Sequence, residues 1–194
     1  GVTSTFFRRE GKYFVNPDGP DGKRADFGIT YAFGVEPLQQ YLVDFPDGRK
    51  QALGLAWDSR PKAAGGQRWF HLYPGQKVKA GDRLHWTAID QNWNFQCADC
   101  HSTNLRKGFD EAAGTFRTTW TDINVNCEAC HGPGSAHLAW AKLPEAARAK
   151  DAGKGLAAQL DERRGVTWTP VAATGNAARS KPREAAREIE VCAR

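Results

Sequence analysis

The sequence of 194 residues contains no methionine, even at position 1, and no apolar run long enough to cross a bilayer. We therefore expect a processed product or a piece of a longer protein, with no membrane span in this segment. Motifs of several enzyme classes are also missing: there is no Gly-rich phosphate loop, no nucleophile elbow and no His-Glu-x-x-His sequence. Adjacent carboxylates such as Asp110-Glu111 are expected to be solvated rather than catalytic.

The composition is that of an ordinary globular protein, with 40% hydrophobic and 25% charged residues. The formal net charge is +5, and most of the basic surplus lies in residues 141–194, where Lys and Arg alternate with Ala and Glu. This pattern indicates a solvated helical face, with a docking surface for an acidic partner as the alternative. It gives no reason to predict nucleic-acid binding.

The pattern of residue types predicts an α+β fold. An antiparallel β portion is expected over about residues 2–57, with a hairpin around Arg8–Gly11 and a turn at Pro46–Gly48. Residues 58–96 are rich in proline, glycine and aromatic residues and are expected to be mostly irregular. Short helices and long loops are expected over residues 97–140.

The last part of the chain is expected to be a basic, largely helical tail. The alanine-rich stretch Pro144–Arg164 favours a helix, residues 165–182 are loop-like, and Pro182–Cys192 predicts a final helix. The chain is expected to form one partial domain over residues 1–194. Its expected parts are a β-rich part, a middle part and the helical tail, at residues 1–60, 61–140 and 141–194.

Four of the five cysteines occur in two copies of one motif, Cys97-Ala-Asp-Cys100-His101 and Cys127-Glu-Ala-Cys130-His131. Cys-x-x-Cys-His is the attachment signature of c-type haem. Residues i and i+3 lie on one face of a helical turn, so two thiols reach the two vinyl groups on one porphyrin edge. The histidine that follows is placed to bind the iron as the proximal ligand.

Three other interpretations of the cysteines remain open at this point. Two Cys-x-x-Cys pairs are also found in four-cysteine zinc sites, in redox-active dithiols and in disulfide frameworks. None of these requires a histidine after each pair, so covalent haem is the interpretation that uses all six residues. A zinc-stabilised binding module is the corresponding alternative function.

Cys192 lies in the sequence Val-Cys-Ala-Arg at the end of the chain. With Cys-His as the next two residues it would become a third haem motif. We therefore expect a truncated third site at Cys192, with a free or partner-linked thiol as the alternative.

A chain without methionine cannot supply a His/Met pair, which leaves two histidines, a histidine with an external ligand, or an open axial position at each iron. Three histidines lie outside the motifs: His71, His85 and His137. Each is a candidate iron ligand beside His101 and His131, and each has a structural role as the alternative. Ligation by two histidines predicts haems of low reduction potential.

The segment Cys127-Glu-Ala-Cys-His-Gly-Pro-Gly-Ser-Ala-His137 resembles the multihaem c-type cytochromes of the cytochrome c-554 kind. A closer resemblance is to the group in which such a domain precedes tetratricopeptide repeats. Four further segments carry this resemblance: Tyr31–Tyr41, Trp57–Pro61, Arg68–Tyr73 and Asn92–Asn94.

The resemblance implies an exported protein, periplasmic or extracellular, that carries haem c and transfers electrons to redox partner proteins. It implies haem attachment at Cys97 and Cys100 with His101 as ligand, the same at Cys127, Cys130 and His131, and a distal ligand at His137. It also implies further haem motifs beyond this segment and a repeat region in the full-length protein. The alternative function is a multihaem oxidoreductase acting on small nitrogen or sulfur compounds.

Overall fold

The computed structural model describes residues 3–193; Gly1, Val2 and Arg194, at the ends of the predicted ranges, lie outside the described residues. The chain divides into two compact units. The first comprises Gly1–Asp99 and Leu105–Trp120, and the second comprises Cys100–Asn104 and Thr121–Arg194. The expectation of one domain over the whole chain stays a prediction.

The first unit is built on an antiparallel sheet of seven strands. They are β1 (Thr5–Arg9), β2 (Lys12–Asn16), β3 (Phe27–Phe33), β4 (Leu38–Asp44), β5 (Lys50–Ala52), β6 (Leu55–Asp58) and β7 (Arg68–His71). The strand order is β1-β2-β3-β4-β6-β7, and β5 also pairs with β4. The predicted antiparallel β portion is confirmed, and with the short helices below it confirms the α+β class.

Two predicted turns fix the ends of these strands. Glu10 and Gly11 adopt φ angles of 51° and 79° between β1 and β2, which is the two-residue hairpin that matches strand twist. After β4, the Asp47 carboxylate accepts a hydrogen bond from the Arg49 backbone N–H at 3.1 Å. Gly48 has φ 81°, and a Cβ there would collide with the carbonyl oxygen of Phe116.

The core of the first unit lies against this sheet. Val15, Val43, Leu53 and Trp86 form its buried cluster, and each is no more than 6% exposed. Burial of one such side chain stabilises the fold by about 1.5–3 kcal/mol. The Trp86 indole N–H donates to the carbonyl oxygen of Asp18 at 2.6 Å, so its one polar atom is satisfied.

The segment expected to be irregular contains more regular structure than predicted. Strand β7 pairs with β6, two 3-10 turns occupy Lys62–Ala64 and Ile89–Gln91, and helix α1 spans Trp93–Gln96. Strand β7 was not expected, because its four residues do not alternate between polar and apolar types. A two-stranded ribbon of β8 (Phe109–Asp110) and β9 (Thr115–Phe116) completes the first unit.

Short helices dominate the second half of the chain, as expected for residues 97–140. They are α2 (Ala98–His101), α3 (Cys127–His131), α4 (Ser135–Ala141), α5 (Glu145–Arg148) and α6 (Arg187–Cys192). No helix among residues 3–193 is both long and apolar enough to cross a membrane.

The tail differs from its prediction in two places. The prediction of a helix over Pro144–Arg164 is wrong except for α5. After α5, a turn around an aspartate and residues with left-handed backbones take the place of the helix. The loop expected over 165–182 contains a hairpin, in which β10 (Trp168–Val171) pairs with β11 (Asn176–Arg179). The final helix is confirmed only from Arg187 onward, as α6.

Candidate functional site

The first cysteine motif follows a firmly anchored turn. The Asn92 side chain caps α1 by accepting from the Phe95 N–H at 3.0 Å. Asn94 is fully buried and accepts from the Lys50 N–H at 2.6 Å, while its amide donates to Thr118 Oγ1 at 2.8 Å. These bonds attach the segment before Cys97 to the sheet of the first unit.

The cysteines and histidine of the first motif lie at the surface. Cys97 ends α1 and is half-buried, whereas Cys100 and His101 lie on α2 and are exposed. Ala98 between them is fully buried and holds the turn in place. The motif therefore has a buried anchor and presents its reactive side chains outward.

The second motif forms helix α3. Cys127 and Cys130 are one helical turn apart and so lie on one face, and His131 is the last residue of the helix. The Asn126 side chain caps the helix by accepting from the Glu128 N–H at 2.9 Å. This is the arrangement that two thioether bonds to one porphyrin edge require.

A tight turn joins α3 to the helix that carries His137. The Glu128 carboxylate accepts from the Gly134 N–H at 2.7 Å, and Gly132 adopts φ 74°. Helix α4 begins at the next residue, Ser135, and places His137 half-buried, with its ring stacked on Trp140 at 5.4 Å between centroids.

His131 and His137, both in the second unit, share one hydrogen-bond pattern. Nδ1 of His131 lies 2.9 Å from the carbonyl oxygen of Ala158, and Nδ1 of His137 lies 2.7 Å from that of Lys154. A carbonyl oxygen only accepts, so Nδ1 is the donor in both rings. In the neutral imidazole this leaves the lone pair on Nε2, the atom with which histidine binds haem iron.

The two histidines of the first unit have the opposite pattern. The Tyr73 N–H donates to Nδ1 of His71 at 3.0 Å. In His85, which is 3% exposed, Nδ1 accepts from the Thr87 N–H at 3.4 Å and Nε2 lies 3.3 Å from an Asp18 carboxylate oxygen. The proton of each neutral ring therefore lies on Nε2, and iron binding at that atom would require its loss. Their predicted roles as iron ligands stay predictions.

Cys192 is the last residue of α6 and is exposed. The helix is attached to the preceding loop by an ion pair of 2.8 Å between Arg163 and Glu188 and by the Glu188 N–H, which donates to Glu162 at 3.2 Å. The thiol is accessible for attachment to a group at this end of the chain.

The residues around the motifs fit a large flat apolar group. Phe95, Val125 and Leu138, each within two residues of a motif or of His137, are 55%, 52% and 63% exposed. Each of these exposed apolar side chains adjoins, in the sequence, a residue of a predicted haem site. Covalent haem would cover such side chains, and the donor set of two thiols and an imidazole is the one it needs.

The alternative interpretations of the cysteines find less support. Within residues 3–193, no three His, Cys, Asp or Glu side chains come together in a group that could hold a metal ion, as a four-cysteine zinc site would need. No disulfide joins any of the described cysteines. Haem attachment requires no such cluster, because its thiols are spaced along a porphyrin edge.

The carbonyl groups that orient His131 and His137 could not be found from the sequence. Any residue supplies a backbone carbonyl, so Lys154 and Ala158 carry no signal of their own. The partner of His85 was missed as well, since Asp18 lies 67 residues earlier in the chain.

The motifs and their helical turns have the spacing that attachment of c-type haem requires. Residues 57–132 match the family described as cytochrome c554 and c-prime, and this segment contains both complete motifs. The match confirms the predicted resemblance for a cytochrome c554-like domain, and the family implies haem c and electron transfer. No curated protein and no solved structure matches the chain. The tetratricopeptide context stays a prediction.

Proposed function

We propose that this chain is an electron-transfer part of a multihaem c-type cytochrome, with one covalent haem at each complete motif. The second motif carries the proposal, because Cys127 and Cys130 lie one turn apart on α3 and His131 holds its proton on Nδ1. Both motifs lie within the segment that matches the cytochrome family.

In each motif the two thiols would attach the porphyrin through thioether bonds, and the histidine would bind the iron through Nε2. A bound haem supplies reversible one-electron transfer. The chain fixes the thiols and the imidazole and sets the polarity around them. At His131, donation of the Nδ1 proton to the Ala158 carbonyl orients the ring and raises its basicity, which lowers the reduction potential.

His137 is the proposed distal ligand with the best-supported geometry, because its neutral ring also presents a lone pair at Nε2. His71 and His85 remain the other proposed ligands. With histidines on both sides, each iron would be closed to small ligands, as an electron-transfer site requires. The alternative function, an oxidoreductase acting on small nitrogen or sulfur compounds, requires an open axial position.

The proposed setting follows from haem attachment. Covalent attachment of haem c takes place outside the cytoplasm, so we place the protein in the periplasm or at the cell exterior. Its partners would be redox proteins, and an acidic partner would complement the basic surplus of residues 141–194. Cys192 is the proposed first cysteine of a third motif, and a tetratricopeptide repeat region is proposed for the full-length protein.

The test is a pyridine haemochrome spectrum combined with an intact mass, on protein exported through a host with cytochrome c maturation. We expect two covalent haems per chain, and the same number in Cys192→Ser. Protein that contains zinc and no haem would overturn the proposal.

Carbon monoxide separates the two functions on the same preparation. Ferrous haems with two histidine ligands are expected not to bind it, whereas an oxidoreductase would show a carbon monoxide complex at its open haem.

A further inference from the structure

One loop holds the rings of His131 and His137 in the second unit. Residues 151–159, which we call the 151–159 loop, supply the carbonyl of Lys154 to Nδ1 of His137 and that of Ala158 to Nδ1 of His131. The loop also donates a hydrogen bond, from the Ala158 N–H to the His131 carbonyl oxygen at 3.2 Å. The family match ends at residue 132, so the loop is not part of the matched segment.

The loop has its own internal bracing. The two carboxylate oxygens of Asp151 accept from the Gly153 and Gly155 N–H groups, each at 2.9 Å. The Gln159 amide donates to the Gly153 carbonyl at 2.6 Å. Lys154 and Gly155 both have left-handed backbones, with φ 54° and 66°. These three side-chain hydrogen bonds and two left-handed backbones thus fix a short segment that has no regular secondary structure.

The loop lies directly against the helices that carry the histidines. A Cβ at Gly155 would come within 2.6 Å of the Ala136 carbonyl oxygen on α4, and a Cβ at Gly132, after α3, would lie 3.1 Å from the Ala157 side chain. Ala158 is 6% exposed. The Gly155 contact is with the backbone of Ala136, the residue before His137, so a displacement of the loop there acts on the segment that carries this histidine.

We propose that the 151–159 loop is a positioning element for both iron-binding histidines, which keeps their Nε2 lone pairs available and their rings fixed. The inference rests on the proposed function, since it assigns iron binding to His131 and His137. Hydrogen bonds from the outer nitrogen of a ligating histidine fix its tautomer and ring orientation. Here one braced loop does this for two rings six residues apart.

The test is Gly155→Ala in the haem-loaded protein. The new methyl group would push the loop away from α4 and release the His137 ring. The matched control is Gly175→Ala, since Gly175 has φ 68° and no atom within 4 Å of a Cβ, so it adds the same backbone strain without the contact.

We expect both variants to keep two haems, because thioether bonds do not depend on the loop. Gly155→Ala is expected to gain a high-spin ferric signal in electron paramagnetic resonance and to bind carbon monoxide when reduced, and added imidazole should restore the low-spin state. Gly175→Ala should match the wild type in all three measurements. Restoration by imidazole distinguishes loss of a ligand from general unfolding.

A second variant avoids the steric change. Asp151→Ala removes both carboxylate acceptors inside the loop, whereas Asp151→Asn keeps one of them. The reduction potential should therefore shift further from the wild-type value in Asp151→Ala than in Asp151→Asn. Wild-type spectra, carbon monoxide behaviour and potential in both Gly155→Ala and Asp151→Ala would overturn the positioning role. Wild-type protein without haem would instead overturn the proposed function.

Discussion

The first unit has an apolar core against a seven-stranded sheet, formed by Val15, Val43, Leu53 and Trp86. Of the described apolar residues that are buried, only Ala158 lies in the second unit. A segment without an apolar core of its own needs another source of burial to offset its conformational entropy. Covalent haem would supply that surface. From this comparison we expect the first unit to fold on its own core and the second to depend on what its cysteines bind.

The histidines divide in the same way. In the first unit, the rings of His71 and His85 accept at Nδ1 and carry their proton on Nε2. In the second unit, His131 and His137 donate from Nδ1. A residue type that is ambiguous in the sequence thus has two hydrogen-bond patterns, and only one of them leaves Nε2 ready to bind iron.

Removal of the second haem is expected to have the largest effect. Cys127→Ser combined with Cys130→Ser should leave one covalent haem per chain and unfold the second unit, while the sheet of the first unit persists. Hydrogen exchange followed by mass spectrometry measures this as lost amide protection over residues 121–193 and retained protection over β1–β7. Cys192→Ser is the control, with two haems and wild-type protection. Retained protection of the second unit in the double variant would break the comparison.

Truncation of the sheet's core should have the reverse effect. Leu53 is 1% exposed, and Leu53→Ala is expected to lower the free energy of unfolding of the first unit by about 2–5 kcal/mol. Denaturant titration followed by tryptophan fluorescence measures the change. Leu143→Ala is the control, because Leu143 is 46% exposed and its truncation should change the free energy by about 0.5 kcal/mol or less. An equal effect of both substitutions would contradict the core assigned here.

The histidine comparison predicts a smaller loss of stability with a clear spectroscopic contrast. His85→Ala leaves Asp18 and Thr87 without their ring partner and should cost about 1–3 kcal/mol, with haem spectra that stay unchanged when His71, and not His85, is the remaining distal ligand. His137→Ala should instead open an axial position, which a carbon monoxide complex of the ferrous protein reveals. A carbon monoxide complex in His85→Ala would assign that residue as an axial ligand and overturn the division between the units.

The sequence predicted the fold best where single residues determine a turn. Gly11 and Gly48 require left-handed backbones, and both turns lie where they were expected. It failed between residues 149 and 164, where alanine content favours a helix but Asp151 binds two backbone N–H groups that a helix would need. Side chains that compete with backbone hydrogen bonds decided the structure there.

The chemistry of the proposed site can be predicted from the sequence, whereas its support cannot. The two Cys-x-x-Cys-His motifs identify the proposed thiols and proximal histidines directly. The carbonyls of Lys154 and Ala158 are invisible in the sequence, since their position depends on the path of the backbone. The cluster Asp151-Ala-Gly-Lys-Gly155 is the one available signal, because its residue types favour a turn over a helix.

The smallest expected effect is on the pH dependence of the stability of the first unit. Arg60 donates two hydrogen bonds to Asp58, at 3.0 and 2.7 Å, and lowers the pKa of that carboxyl from 3.8 to about 2, with Arg68 adding a weaker attraction. A lowered pKa in the folded state adds stability above the unfolded value of 3.8, and this contribution is lost as the pH falls from about 4 to 2. Asp58→Asn should therefore flatten the decline in thermal stability of the first unit over that interval, and Arg60→Gln should flatten it as well. A decline as steep as that of the wild type in both variants would show that other carboxylates carry the acid sensitivity of the sheet.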